Sequence, residues 1–471
     1  MGETRRLIKN TGIIAIGGVA TKLVQFMLLP LYTSVLSTSE YGTVDYVNTI
    51  ALFLVPAVSL LMDEAMFRFL IDCKNDFDRI RIVTSSFALF AAGCLVFALA
   101  VLLMQTVWPS FDFGWVLALV VSQCLMTMAS SLMRGFGDTV SYALMNFLAS
   151  AITIVLNVAF IAVAGLGVLG MLSATIIAQG GVALFFLVRK KFWRYLDLWA
   201  FAKDEAKELI RYSIPLIPNK VSWTIMNMLD RLIIMNAIGA DAAGVYAVSY
   251  KFPSVMDQIY GFFYQSWKES SARALEGEED ISAFYNAVYR VLRRFMMAIV
   301  LVMTALMPLV YGVLIKGSFN EGLFYVPILL LATYYSNMSG FYGGIFTAYK
   351  DTGIMGTTTV VSALLCAALC VLMIPLLGLY GASIATVAAT FVVNEYRRIK
   401  VEKYIELTED LTERVLTIMA VVGVFISFYT YSYGRFAPAL VICLLIAFAY
   451  FVLMNKDVLK KILAIVRRRR R

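Results

Sequence analysis

The sequence predicts an all-α membrane protein with about fourteen transmembrane helices. Of its 471 residues, 61% are hydrophobic and 15% are charged, and the mean hydropathy is +0.80. Soluble globular proteins average about 45–50% apolar and roughly 25% charged residues. The excess apolar surface of this chain therefore cannot be buried in the core of a soluble protein. Apolar stretches of about 20 residues recur along the chain, and a helix of that length crosses ~30 Å of hydrocarbon with its backbone hydrogen bonds satisfied internally.

The apolar stretches form two groups of six, followed by a pair. The first six lie near residues 10–33, 43–69, 82–106, 114–133, 141–164 and 168–188. The second six lie near residues 212–238, 243–267, 295–315, 322–349, 354–376 and 379–396. The last pair lies near residues 415–432 and 436–455.

The Lys and Arg residues predict the orientation of these spans. With the N-terminus in the cytoplasm, 34 of the 40 Lys and Arg residues fall in cytoplasmic segments, and the outer loops contain two, Lys316 and Arg435. Positive residues accumulate on the cytoplasmic side, and one missed helix would reverse the assignment of every later loop. We therefore expect a multi-pass protein of the bacterial inner (cytoplasmic) membrane with both termini in the cytoplasm.

Several classes of function are excluded by composition. The sequence contains no histidine, so histidine metal sites and Ser-His-Asp triads are absent. The six cysteines lie mostly in apolar stretches without a CxxC pair, and we interpret them as packing residues. We expect no metal and no cofactor. The basic residues that give the net charge of +9 lie beside the spans. We therefore expect them to set the topology and to contact anionic lipid, and we expect no nucleic-acid partner.

The chain shows a weak internal duplication. LIKNT from Leu7 and LIRYS from Leu209 begin the first span of each group of six. Six is an even number, so both halves enter the membrane from the same side, and the pseudo-two-fold axis runs along the membrane normal. The predicted parts are an N-terminal six-helix bundle (1–190), a cytoplasmic interfacial linker (191–211), a C-terminal six-helix bundle (212–400), and an additional helix pair with a basic tail (401–471).

Ionisable side chains inside the spans are the candidate functional residues. Each costs roughly 2.5–3.5 kcal/mol on insertion scales, so it is expected to face a cavity or a partner. They concentrate in the first two helices of each half, which we expect to line a central cleft. The cationic candidates for binding an anionic headgroup are Lys22, Lys220, Lys251 and Arg231, and the candidates for binding a coupling cation or proton are Asp63, Glu64, Asp230 and Asp257.

A structural interpretation of the same charges stays open. Lys22 is placed to form an ion pair with Asp63 or Glu64 on the neighbouring helix. The Asp230–Arg231 dipeptide lies nearer the outer surface and is also explained as a charge at the end of a span.

The opening of the chain carries a family resemblance. Lys9-Asn10-Thr11 precedes a long first span, and LLPLYTSVLSTSEYG (28–42) precedes a second. With the length, the two groups of six spans and the extra pair, this pattern resembles the Wzx-type polysaccharide flippases of the MOP exporter superfamily. The resemblance covers essentially the whole chain, and its LS-x-x-EYG stretch is its most specific element.

The resemblance implies a transporter rather than an enzyme. Its substrate would be an undecaprenyl-pyrophosphate-linked oligosaccharide, moved from the cytoplasmic to the outer leaflet by alternating access through a partly cationic cavity. The positions matching the family's cavity cations are Lys22, Lys220 and Lys251. The similar MurJ-type lipid II flippases use their last two helices as a groove for the lipid tail, and the pair at 415–455 is the counterpart here. Implied partners are membrane lipids, glycosyltransferases and a polysaccharide polymerase.

Three alternative functions remain. A lipid II flippase has the same architecture, and a MATE-type drug–cation antiporter shares its twelve-span core. A membrane glycosyltransferase or polymerase belongs to a different class. It is disfavoured because the sequence lacks a sizeable domain outside the spans and a compact DxD-type acidic motif.

Overall fold

The structure is a computed structural model, and it describes residues 26, 28–73, 75–108, 113–274, 281–349, 351, 353–456 and 460. Helices dominate these ranges, and no strand occurs in them. Most of the predicted first span, including Lys22, lies outside the described residues. The chain divides into two compact units, Met1–Met235 and Asn236–Arg471.

The first unit contains nine α-helices in its described part. In chain order they are α1 (Leu29–Val35), α2 (Thr38–Val58), α3 (Met62–Asp72), α4 (Asp76–Val107), α5 (Phe113–Gly135), α6 (Thr139–Asn157), α7 (Gly167–Arg189), α8 (Lys203–Ser213) and α9 (Leu216–Ala237). A π-helical turn, Val158–Val163, continues α6, and two 3-10 turns, Phe192–Tyr195 and Leu198–Ala200, precede α8.

The second unit contains six described α-helices. They are α10 (Ala240–Ala274), α11 (Ile281–Leu314), α12 (Val326–Ala348), α13 (Gly353–Val401), α14 (Leu411–Gly434) and α15 (Ala437–Met454), with a 3-10 segment at Gly317–Phe324. The predicted eleventh and twelfth spans both lie in α13, which is two helices meeting at Gly378. The backbone there has φ 56° and ψ −134°, outside the helical region and in the half of the map that glycine adopts most readily.

The specific stretch LSTSEYG is the start of α2. The Ser37 hydroxyl accepts a hydrogen bond from the Glu40 amide (3.1 Å), and the Glu40 carboxylate accepts one from the Ser37 amide (2.8 Å), which forms a capping box. Gly167 begins α7 at φ +52°, and a Cβ added there would lie 2.4 Å from Glu40 Oε1. The Glu40 carboxylate therefore covers the start of α7, and Gly167 provides the space for it.

The predicted second span is interrupted in the structure. α2 ends at Val58 and α3 begins at Met62, and both Leu60 and Leu61 have positive φ (51° and 49°). A non-glycine residue in this region costs roughly 1–2 kcal/mol. The Ser59 hydroxyl accepts a hydrogen bond from the Leu61 amide (3.2 Å), which supports the turn. Hydropathy averaged over a window predicts one long span here because the turn residues are themselves apolar.

The predicted interfacial linker is hydrogen-bonded to the N-terminal third of α4. The Thr84 hydroxyl donates a hydrogen bond to the Tyr195 carbonyl (3.1 Å) and accepts one from the Asp197 amide (3.0 Å). Phe192 is buried, whereas the Trp199 side chain is 97% exposed. An aromatic side chain on the outside of a basic segment is typical of a segment in the headgroup layer, as the sequence predicts.

The all-α membrane fold is confirmed, while the count of fourteen helices stays a prediction. By length and composition, nine helices within the described ranges are able to cross a membrane. They are Thr38–Val58, Asp76–Val107, Phe113–Gly135, Thr139–Val163, Gly167–Arg189, Ile281–Leu314, Gly353–Val401, Leu411–Gly434 and Ala437–Met454. Large apolar side chains on α4, including Leu95, Leu99 and Leu102, are more than half exposed, as expected for a surface that contacts lipid.

The close approach of α4 to the end of α2 gives a test of this packing. A Cβ added at Gly93 would lie 2.2 Å from the Val58 carbonyl oxygen, a backbone atom that cannot rotate away. We expect Gly93→Ala to destabilise the protein by about 1–3 kcal/mol through overpacking. The measurement is thermal unfolding of the purified protein in detergent. Gly181→Ala on α7 is the matched control, since no atom lies within 4 Å of its added Cβ; equal stability of both variants would contradict this packing.

Candidate functional site

The described candidate residues lie on three helices. Asp63 and Glu64 are in the first turn of α3, immediately after the interruption at Leu60 and Leu61. A helix N-terminus carries partial positive charge, so acidic side chains are stabilised at these two positions. The remaining candidates are Lys220, Asp230 and Arg231 on α9, and Lys251 and Asp257 on α10.

Arg231 forms an ion pair with Asp45 on α2. Arg231 Nη1 lies 3.2 Å from Asp45 Oδ1 and 3.3 Å from Oδ2, and the two side chains are 15% and 12% exposed. The neighbouring Asp230 is buried, and its carboxylate accepts a hydrogen bond from the Arg231 amide (2.9 Å). Arg231 therefore holds α9 against α2 within the first unit.

Lys220 differs from Arg231 in its exposure. It lies on the first half of α9, its side chain is exposed, and it is close enough to Asp63 to interact electrostatically. The structure thus brings together a cation of α9 and an acid of α3 that the sequence predicted separately. Because Lys220 is accessible, it remains available to an anionic ligand.

In the second unit, Asp257 lies beside the Asn337 carboxamide of α12. Asp257 is not in an ion pair with any residue that the structure describes. Lys251, six residues earlier on α10, is exposed. An acid without an ionic partner in a span is the residue type that binds a proton or cation in transport proteins.

Arg397 is a buried cation that the sequence did not identify. It is 8% exposed, and its guanidinium donates hydrogen bonds to the Thr358 hydroxyl (2.8 Å), the Ser339 carbonyl (3.2 Å) and the Met355 carbonyl (3.2 Å). No carboxylate of the described residues forms an ion pair with it. In the sequence, Arg397 directly follows the predicted span 379–396, so it counts among the cytoplasmic Lys and Arg residues. Two of its acceptors are backbone carbonyls, which every residue type has, so no sequence pattern marks this site.

A second ionic cluster joins α14 to α11. Arg293 Nη2 lies 3.0 Å from Glu413 Oε2, and Arg294 donates hydrogen bonds to the same carboxylate. Arg293 also pairs with Glu409 (3.5 Å), which accepts a hydrogen bond from the Tyr289 hydroxyl. The Arg293 and Glu413 side chains are 12% and 16% exposed, so this partly buried network fixes the start of α14.

Metal-ligating side chains do not converge in the described ranges, where no three His, Cys, Asp or Glu residues are grouped as a metal site requires. What the candidate positions provide is charge. There are exposed cations at Lys220 and Lys251, a paired cation at Arg231, and acids at Asp63 and Asp257. Such groups suit reversible binding of an anionic ligand and of a cation or proton.

Comparisons with known proteins agree with this architecture. The family model described as "Polysaccharide biosynthesis protein" matches residues 7–267, which is more than half of the chain. No curated protein matches in sequence.

Solved structures of three transporters have a similar fold. The lipid II flippase MurJ in an inward closed conformation has a TM-score of 0.71 at 11% identity, over 95% of this chain and 99% of that chain. An inward-facing multidrug resistance MATE family transporter of the MOP superfamily has a TM-score of 0.61 at 15% identity, over 84% and 94%. A MOP superfamily transporter from Pyrococcus furiosus has a TM-score of 0.55 at 15% identity, over 84% and 96%. The predicted resemblance to transporters of this superfamily is confirmed at the level of the fold.

The Arg231–Asp45 pair predicts strong energetic coupling. Removing either partner breaks this partly buried pair, so we expect Arg231→Met or Asp45→Asn alone to cost about 3–5 kcal/mol. The double variant should cost much less than the sum of the two. A double-mutant cycle on unfolding of the purified protein measures this coupling.

The exposed pair Arg68–Asp72 on α3 is the control for that cycle. Its side chains are 50% and 65% exposed, so its coupling should be no more than about 0.5 kcal/mol. Additive effects of Arg231→Met and Asp45→Asn would contradict the ion pair.

Proposed function

Because the chain belongs to the polysaccharide biosynthesis protein family, we propose that it is a flippase for an undecaprenyl-pyrophosphate-linked oligosaccharide. It moves this substrate from the cytoplasmic to the outer leaflet by alternating access. The observation that carries the proposal is the family match over residues 7–267. The protein acts in the bacterial inner membrane with both termini in the cytoplasm, and it receives its substrate from membrane glycosyltransferases and delivers it to a polysaccharide polymerase.

The extent of the structural likeness supports a lipid-linked substrate over a soluble drug. The similarity to MurJ extends over 95% of this chain, whereas that to the MATE transporter extends over 84%. The additional pair, α14 and α15, exposes apolar side chains such as Ile426, Leu445 and Phe448. A polyprenyl tail needs continuous apolar surface, and a small drug does not.

The cations differ in what they offer a pyrophosphate. Arg231 already binds the Asp45 carboxylate, whereas Lys220 and Lys251 are exposed. We therefore assign headgroup binding to Lys220 and Lys251, with Lys22 as a further contact and Arg231 as a structural residue. The exposed ammonium groups provide charge and three donors each.

The acids are assigned to coupling in the same way. Asp257 lies beside the neutral Asn337, whereas Asp63 has Lys220 near it and Asp230 accepts a hydrogen bond from a backbone amide. We propose Asp257 as the group that binds the coupling cation or proton. Asp63 and Glu64 at the start of α3 then adjust the charge near Lys220.

Alanine substitutions test the headgroup assignment. Lys220→Ala and Lys251→Ala each remove a charge-assisted contact worth about 1.5–3 kcal/mol, so we expect translocation to fall about tenfold or more. The measurement is the amount of lipid-linked oligosaccharide retained in the cytoplasmic leaflet of cells that carry each variant at equal expression. Lys207→Ala, on the exposed face of α8, is the matched control and should transport normally. Normal transport by both alanine variants would exclude this headgroup site.

The lipid II flippase is a second candidate, favoured by the TM-score of 0.71 over nearly the full length of both chains. Expression of the chain in cells depleted of their own lipid II flippase distinguishes the two. We expect no rescue of growth from an oligosaccharide flippase, because the headgroup of lipid II carries a peptide. Rescue of growth would indicate that the substrate is lipid II and not the proposed lipid-linked oligosaccharide. Drug sensitivity of a deletion strain, without any change in its surface polysaccharide, would instead favour export of a drug.

A further inference from the structure

A cavity of about 410 Å³ lies inside the second unit, between α14 and the helices α11, α12 and α13. Its volume is within the range of small-molecule sites, about 300–1,000 Å³. It lies at the N-terminal end of α14, where its wall contains Arg293, Arg398 and Arg414. On the predicted topology, this end belongs to the cytoplasmic leaflet.

The cavity has a charged end and an apolar end. The charged end carries the three arginines together with Glu395 and Glu409. One to two turns further along α14, the wall is formed by Ile418, Val421 and Val422. A ligand that fills both ends therefore has a polar head and an apolar chain.

The arginines at the polar end differ in their carboxylate partners. Glu409 is paired with Arg293 (3.5 Å), and Glu395 is hydrogen-bonded to Arg398 (2.9 Å). Arg414 is exposed at the cavity wall and is in no ion pair with the part of the chain that the structure describes. Arg293 and Arg398 are also paired with Glu413 and Glu402, so Arg414 is the arginine of this cavity that is most available to an anion.

Two buried polar atoms at this cavity lack hydrogen bonds in the described part of the chain. Asn394 is 5% exposed; its Nδ2 donates to Glu395 Oε1 (3.1 Å), but its Oδ1 has no donor. Arg293 Nε, similarly, has no acceptor. Buried polar atoms are normally satisfied, so the cavity is set up for a ligand with both an acceptor and a hydroxyl donor.

We propose that this cavity binds an anionic phospholipid with a hydroxylated headgroup, of the phosphatidylglycerol type. Its phosphate accepts hydrogen bonds from Arg414 and Arg293 Nε, a headgroup hydroxyl donates to Asn394 Oδ1, and an acyl chain follows Ile418 and Val422. Basic pockets between transmembrane helices on the cytoplasmic side suit such headgroups. The site lies on other helices than the proposed headgroup cations Lys220 and Lys251, so the inference does not rest on the proposed function.

Lipid titration of the purified, delipidated full-length protein, followed by native mass spectrometry, tests the site. We expect phosphatidylglycerol to bind more tightly than phosphatidic acid, and phosphatidic acid more tightly than phosphatidylethanolamine. Arg414→Gln should weaken phosphatidylglycerol about fivefold. Asn394→Leu should abolish the preference for phosphatidylglycerol over phosphatidic acid while both anionic lipids still bind.

The matched control is Arg435→Gln at the opposite end of α14, which should leave all three affinities unchanged. Equal weakening by Arg414→Gln and Arg435→Gln would reduce the effect to general charge attraction and overturn the proposal. Equal affinity for phosphatidylglycerol and phosphatidylethanolamine would also overturn it. Displacement of bound phosphatidylglycerol by equimolar undecaprenyl phosphate would assign the cavity to the substrate instead.

Discussion

Charged side chains among apolar helices are stable only where some other group replaces the water they have lost. Three solutions appear in this chain. Arg231 is paired with Asp45, Arg293 and Arg294 share the Glu413 carboxylate, and Arg397 is surrounded by neutral hydroxyl and carbonyl oxygens. Each solution joins helices that are distant in sequence, so the requirement for partners also determines which helices pack together.

The same requirement separates structural charges from available ones. A guanidinium that already has a carboxylate gains less from an incoming phosphate, because binding the phosphate means giving up part of the pair. Lys220 is exposed, and Asp63 is near enough to interact with it electrostatically without forming an ion pair. Arg414 has no ionic partner among the described residues. Ranking the cations by whether they already have a carboxylate partner selects fewer candidates for ligand binding than counting every charge in the spans.

Hydropathy was sufficient to predict the fold class, since the length of the apolar stretches is a property of the sequence itself. The partners were not predictable. Asp45 lies 186 positions from Arg231, and nothing local in either segment marks the pair. The turn at Leu60 and Leu61 was missed because leucine is apolar in any backbone conformation. Substrate identity is least accessible, because one fold serves proteins that carry different molecules.

The capping box at the start of α2 has a mechanical consequence. Its Glu40 carboxylate covers the first residue of α7, where only a glycine leaves the necessary space. Tilting α2 without α7 would open this contact, while the Glu40 carboxylate would keep its hydrogen bonds to Ser37. The two helix starts are therefore packed directly against each other, so a displacement of α2 that keeps this contact carries the start of α7 with it. The turn at Leu60 and Leu61 is the nearest break in the helical backbone after α2.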